Sequence, residues 1–190
     1  MSGEEESDEV LVFRAGRGDR LAAAMLIDRH SSKVLALSIR MLGERAAAED
    51  VSQETFMKLW EHASRWKPQG VAFQAWLYRV ASNACLDRLR KRGREHPTHE
   101  APEIEDDAPS AFDGIAAGDL RRTVEDAIAA LPDRQRQAIA LCHYQDFSNI
   151  EAAEIMETSV EALESLLARA RRSLKVRLEP LRGELLEGVR

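Results

Sequence analysis

The chain has 190 residues, with 33 acidic against 27 basic side chains, a net charge of -6 and a pI near 5.5. A balance this acidic excludes a general nucleic-acid coat, so any contact with DNA has to be local. The mix of 44% apolar and 32% charged residues, rich in Ala, Leu, Glu and Arg, is that of a soluble, helix-prone protein. Apolar runs such as Leu21 to Ile27 are too short to span a bilayer. The acidic start, Glu4 to Glu9, is the opposite of a cationic signal peptide, and a cytoplasmic location is the expectation.

From Asp8 to Arg92 apolar residues recur at helical spacing. Val10, Phe13, Leu21, Met25, Leu26, Val34, Leu37, Ile39 and Leu42 predict two helices, with Gly43 as the stop. Val51, Phe56, Leu59 and Trp60 predict a third, within the amphipathic stretch 48–60. There Asp50, Gln53, Glu54 and Met57 share a face, an acidic and amide-bearing stripe suited to a basic helical partner or simply to solvent. Pro68 and Gly70 mark a turn before a fourth helix, Phe73 to Leu89. Six of the ten aromatic residues gather here: Phe56, Trp60, Trp66, Phe73, Trp76 and Tyr78. A small helical lobe needs large residues inside, so Trp60, Phe73, Trp76 and Leu77 are expected in its core, whereas Trp66, before Pro68, is less clearly so. The basic run Arg79, Arg88, Arg90, Lys91, Arg92 and Arg94 follows, with Asn83 and Asp87 four apart beside it. Aromatic faces next to cations are what single-strand binding requires, and short polar groups can reach base edges.

The segment 93–119 changes character, holding three prolines and eight acidic residues against a single base, Arg94. It has too few large apolar groups to order itself and reads as a flexible acidic linker. From Leu120 the helical pattern resumes through Leu131, Pro132 and Tyr144. Ser148 with Glu151 forms a capping-box pattern for a short helix at 147–156, and Ser159 caps a longer one from Val160 to about Leu178. The longer helix buries Val160, Leu163, Leu167, Ala170 and Leu174, and turns Glu161, Glu164, Ser165, Ala168, Arg169 and Arg172 outward. Two helices on a tight turn with a basic far end suit a DNA groove, and equally a solvated bundle. Arg136 adds a candidate phosphate contact. The fold class is all-α: two small helical lobes, 8–92 and 120–190, joined by the linker. Cys85 and Cys142 form no CxxC pair and are expected to be buried free thiols; His96 and His99 could join them in a metal site, but nothing in the spacing demands it, and exposed loop histidines are the expectation.

Together these stretches resemble one family, the bacterial RNA polymerase sigma factors of the extracytoplasmic-function (ECF) group. AEDVSQETFMKLW at 48–60 looks like that family's core-polymerase-binding helix, and FQAWLYRVASNACLDRLRKR at 73–92 like its promoter-melting, minus-ten-reading helix. LPDRQRQAIALCHYQDFSNIEAAEIM at 131–156 with ALESLLARARRSL looks like its minus-thirty-five-binding region four. The resemblance implies a polymerase interface at Asp50, Gln53, Glu54 and Phe56. It implies a minus-ten interface at Trp66, Asn83, Asp87, Arg88, Arg90 and Lys91, where the turn 64–72 captures a flipped base. It implies minus-thirty-five contacts at Arg136, Ser165, Arg169 and Arg172. Glu164 and Leu166 stand where many members carry basic residues, which implies weak affinity for DNA outside polymerase.

The implied partners are core RNA polymerase, promoter DNA and an anti-sigma factor. No cofactor, small-molecule substrate, membrane insertion or enzymatic activity is expected, since no nucleophile–base arrangement or phosphate-cradling loop is present. Two other functions fit parts of the pattern: a sigma mimic that titrates an anti-sigma factor, and an autonomous helix-turn-helix regulator.

Overall fold

A computed structural model of the chain describes residues 6–66, 72–95 and 115–179. Four helices build the first lobe: α1 (Asp8–Ala15), α2 (Arg20–Leu42), α3 (Arg45–Ala63) and α4 (Phe73–Glu95). The second lobe holds α5 (Ile115–Ala129), α6 (Asp133–Ile139), α7 (Asn149–Ile155) and α8 (Val160–Leu178), and α6 runs on into a π-helical turn at Ala140–Tyr144. No strand occurs among the described residues.

Short polar side chains set the starts of these helices. Ser7 accepts from Val10 N, Asp19 from Leu21 N and Ala22 N, and Ser159 from Ala162 N. At α7 Ser148 and Glu151 close a full capping box, as their spacing predicts. Gly43 ends α2 in the left-handed region at φ 70°, where a side chain would be strained.

In the first lobe α2 lies against α1, α3 and α4. Leu11, Leu26, Leu37, Met41, Leu59, Phe73, Leu77 and Tyr78 are fully buried there, each apolar side chain contributing roughly 1.5–3 kcal/mol. Asp8 pins α1 down: its carboxylate meets Arg29 Nη1 at 3.0 Å and His30 Nε2 at 2.8 Å on α2. The His30 hydrogen bond, helped by Arg29, holds the Asp8 carboxyl below the usual range. The end of α1 approaches the end of α3 so closely that a Cβ on Gly16 would lie 2.4 Å from the Ala63 carbonyl oxygen. Backbone meets backbone here, so a larger residue must push α1 off the lobe.

One expectation needs correction. Trp60 is not a core residue but stands 37% exposed on the outer side of α3. The two lobes pack directly on one another through α4 against α7 and α2 against α6, and their buried residues form one cluster. α4 extends to Glu95 and α5 starts at Ile115, so the helices reach inside the expected linker from both ends. The rest of it, 96–114, with His96 and His99, lies outside the described residues.

Candidate functional site

Three outward helix faces carry the predicted residues. On α3 the buried arc is Ala48, Val51, Thr55, Phe56 and Leu59, and Thr55 Oγ1 donates to Val51 O. The opposite arc shows Asp50, Gln53, Met57 and Trp60 to solvent, an acid and an amide within one turn followed by two large apolar groups. Met57 is 54% exposed and Trp60, three residues on, 37% exposed, so the two put apolar surface side by side on this arc. Phe56, expected on this face, is buried in the lobe. Glu54 is half-buried and engaged, meeting Lys58 Nζ at 2.7 Å and Arg88 Nη1 at 3.0 Å. The Lys58 and Arg88 hydrogen bonds hold its carboxyl below the usual range. Glu54 and Arg88 thus tie α3 to α4, although the resemblance implies a different macromolecule for each.

On α4, Asn83, Asp87, Arg90 and Lys91 are exposed at spacings that share one face. Asp87 meets Arg90 Nη1 at 3.2 Å. Trp66 is not an open stacking platform. Its ring packs edge-on against Phe73 at 5.6 Å and Trp76 at 5.4 Å, and its indole nitrogen is buried. The remainder of the expected base-capturing turn, 67–71, lies outside the described residues.

On α8, Leu163, Leu167 and Ala170 face inward and Arg169, Arg171 and Arg172 outward. Ser165 accepts from Arg169 Nη2 at 2.9 Å, which aligns the guanidinium along the helix. Glu164 accepts from Asn149 Nδ2 at 3.3 Å, linking α8 to the start of α7. Leu166 is partly buried against the core, so the outward face consists of Ser165, Ala168, Arg169 and Arg172 rather than of Leu166.

Arg136 belongs to no outward face. It is 9% exposed, and its guanidinium donates to the carbonyls of Met41 (2.6 Å), Leu131 (3.1 Å) and Ala129. Met41 lies in the last turn of α2 and Ala129 ends α5, so one cation caps two helix C-termini, where carbonyls lack intrahelical partners and the dipole is negative. Charge alone suggested a surface role; the position just after Pro132 places the side chain at the junction instead.

No group of three or more His, Cys, Asp or Glu able to hold a metal occurs among the described residues. Both cysteines are free thiols. Burial pushes the Cys85 thiol up to about 11, so it carries little thiolate. Among the described residues no helix is long and apolar enough to cross a membrane.

Residues 26–95 match the family Sigma-70 region 2, and residues 121–174 match Sigma-70 region 4. The chain belongs to the sigma-70 family of RNA polymerase sigma factors. It is 31% identical to the RNA polymerase sigma-H factor of Pseudomonas aeruginosa, over 95% of this chain and 98% of that protein. It is also 31% identical to the ECF RNA polymerase sigma factor SigW of Bacillus subtilis, over 87% and 93% of the two chains. Among solved structures, CnrH in complex with the cytosolic domain of CnrY superposes with a TM-score of 0.69 at 28% identity, covering 92% of this chain and 99% of that one. RpoE of Bartonella quintana, crystallised with the anti-sigma factor NepR, gives 0.65 at 28% identity over 82% and 96%. Within the family the chain is therefore a sigma factor of the ECF group.

Proposed function

We propose that the chain delivers core polymerase to a two-element promoter through the three faces just described, and does so in the cytoplasm without catalysis of its own. The observation that carries this is the adjacency of two exposed rows on helices tied by Glu54 and Arg88: Asp50, Gln53, Met57 and Trp60 on α3, and Asn83, Asp87, Arg90 and Lys91 on α4. The first row suits a protein partner, because it combines acid with desolvatable apolar groups. The second suits an unpaired strand, with amide and carboxylate for base edges and cations for the backbone. Extruding a base costs a few kcal/mol, which pocket contacts can return, so melting needs no nucleotide hydrolysis. Arg169 and Arg172, with Ser165, are assigned to the minus-thirty-five element in the major groove. The solved relative RpoE, in complex with the anti-sigma factor NepR, supports a protein of that kind as the partner that holds this chain back. Neither the mimic nor the autonomous regulator is favoured by a likeness to sigma factors that runs the length of the chain.

The double variant Arg169→Ala/Arg172→Ala tests the assignment. Initiation by polymerase carrying it should fall on the order of 10-fold on a promoter with both elements, and its salt dependence should shallow by about two phosphate contacts. Core binding should stay as it was. Unchanged initiation and salt slope would remove α8 from the DNA interface.

A further inference from the structure

The stretch that matches region 2 begins at residue 26, so the family match does not extend to α1. Leu11 and Val12 of α1 turn inward, and Val10 and Phe13 turn outward. Phe13 is 59% exposed, more than any other Phe, Tyr or Trp among the described residues. The ring stays this open although the Arg17 guanidinium covers one face, 5.5 Å from its centroid.

Positive charge collects around the ring. Arg14 is taken up by Glu6 and by Asp19, the latter at 2.7 Å. Arg17, Arg20 and Arg65 are exposed, and among the described residues none of the three forms an ion pair. Glu9, one turn before Phe13, is an acid on the same side, so the balance stays positive.

The backbone fixes where this patch lies. A Cβ on Gly16 would come within 2.7 Å of Ser64 N as well as against Ala63, so the turn after α1 rides on the end of α3. Arg17 follows Gly16 and Arg65 follows Ser64, so two of the cations flank that contact. Ser64 also opens the turn 64–72 that is expected to capture a base. The open ring and its arginines therefore border the start of that turn.

A duplex would use the cations alone, because stacking closes its base faces. A protein partner would suit Val10 and Phe13, but would leave three cations unanswered unless it were itself acidic. An unpaired strand uses both, since bases stack on a ring or a guanidinium plane while the phosphates meet the charge. We propose that Phe13, Arg17, Arg20 and Arg65 form a second single-strand site, which holds the unpaired nucleotides adjoining the captured base without reading their sequence. Its place at a promoter rests on the function proposed above, whereas strand binding is measurable on the chain alone.

The test is fluorescence anisotropy of the full chain at low salt, with a labelled oligo(dT) of about 16 nucleotides and with a duplex of the same length. Phe13→Leu keeps an apolar side chain at an exposed position and should melt as the parent does. It should weaken single-strand binding on the order of 5-fold and leave duplex binding unchanged. Arg17→Gln/Arg20→Gln should flatten the slope of log affinity against log salt by about 1.4, two phosphate contacts at ~0.7 each. Arg90→Gln/Lys91→Gln on α4 is measured beside them. If the Phe13 and Arg17/Arg20 variants bind as the parent while the α4 variant is weakened, the second site falls and the function proposed above stands. The reverse pattern keeps the second site and takes the strand away from α4. A parent chain that binds no strand at low salt would overturn the proposal. So would a Phe13→Leu chain that loses affinity for core polymerase but not for the strand, which would give the patch to a protein partner.

Discussion

Lysine in place of Met57 is expected to weaken binding to core RNA polymerase by on the order of 100-fold, with no loss of thermal stability. Met57 is 54% exposed in the free chain, flanked by Gln53 and Trp60 on the outward arc of α3, and makes no core contact whose loss would unfold the lobe. In an interface it becomes the centre of a desolvated patch, and an unpaired ammonium there costs several kcal/mol, of which about 2.7 corresponds to that factor. Asp50→Lys should act in the same direction through charge, more strongly at low salt. Glu54→Lys would be a poorer probe, because it sets a third cation between Lys58 and Arg88 and loosens α3 from α4. A titration of labelled chain with core enzyme reads the effect. Unchanged affinity of Met57→Lys would move the polymerase interface off this helix.

Arg136→Met should lower the melting temperature by on the order of 10 °C, the largest stability loss expected of a single charged-to-apolar change in this chain. The side chain would still fill its space, but the carbonyls of Met41, Ala129 and Leu131 would lose their donor together. Buried carbonyls left without partners cost about 1–3 kcal/mol each, less where water can enter, so a total of about 3 kcal/mol is the reasonable scale. Arg136→Lys should fall between, because an ammonium cannot span three divergent acceptors. The measurement also separates two roles. A phosphate ligand would show the opposite pattern, a normal melt with weaker promoter binding, and that outcome would overturn the capping role.

The features readable from sequence were those set by local chemistry. Ser148 with Glu151, Ser159 and Gly43 each name a helix end because the side chain or the missing Cβ does its work within four residues. The alternation of α8 was equally plain, since Leu163, Leu167 and Ala170 repeat at helical spacing. Where angular position mattered more than residue type, the reading failed. Phe56 and Trp60 lie one turn apart on the apolar half of α3, but only Phe56 falls inside the arc that meets α2 and α4, and the larger ring is left outside. Arg136 shows the same limit in another form. Its charge speaks for the surface, while its place between two helix ends is set by contacts 95 residues apart in sequence. The π-helical turn at Ala140–Tyr144 and the seam it supports had no local signature at all, because the contacts that stabilise them come from the other lobe.

The most direct measurement of the central claim is run-off transcription on genomic DNA of the source organism, with purified core polymerase and this chain, followed by mapping of RNA 5′ ends. The expected result is a set of discrete starts that need both proteins and share two upstream elements at constant spacing. Starts that do not depend on the chain, together with no detectable binding to core enzyme, would contradict a role in promoter recognition.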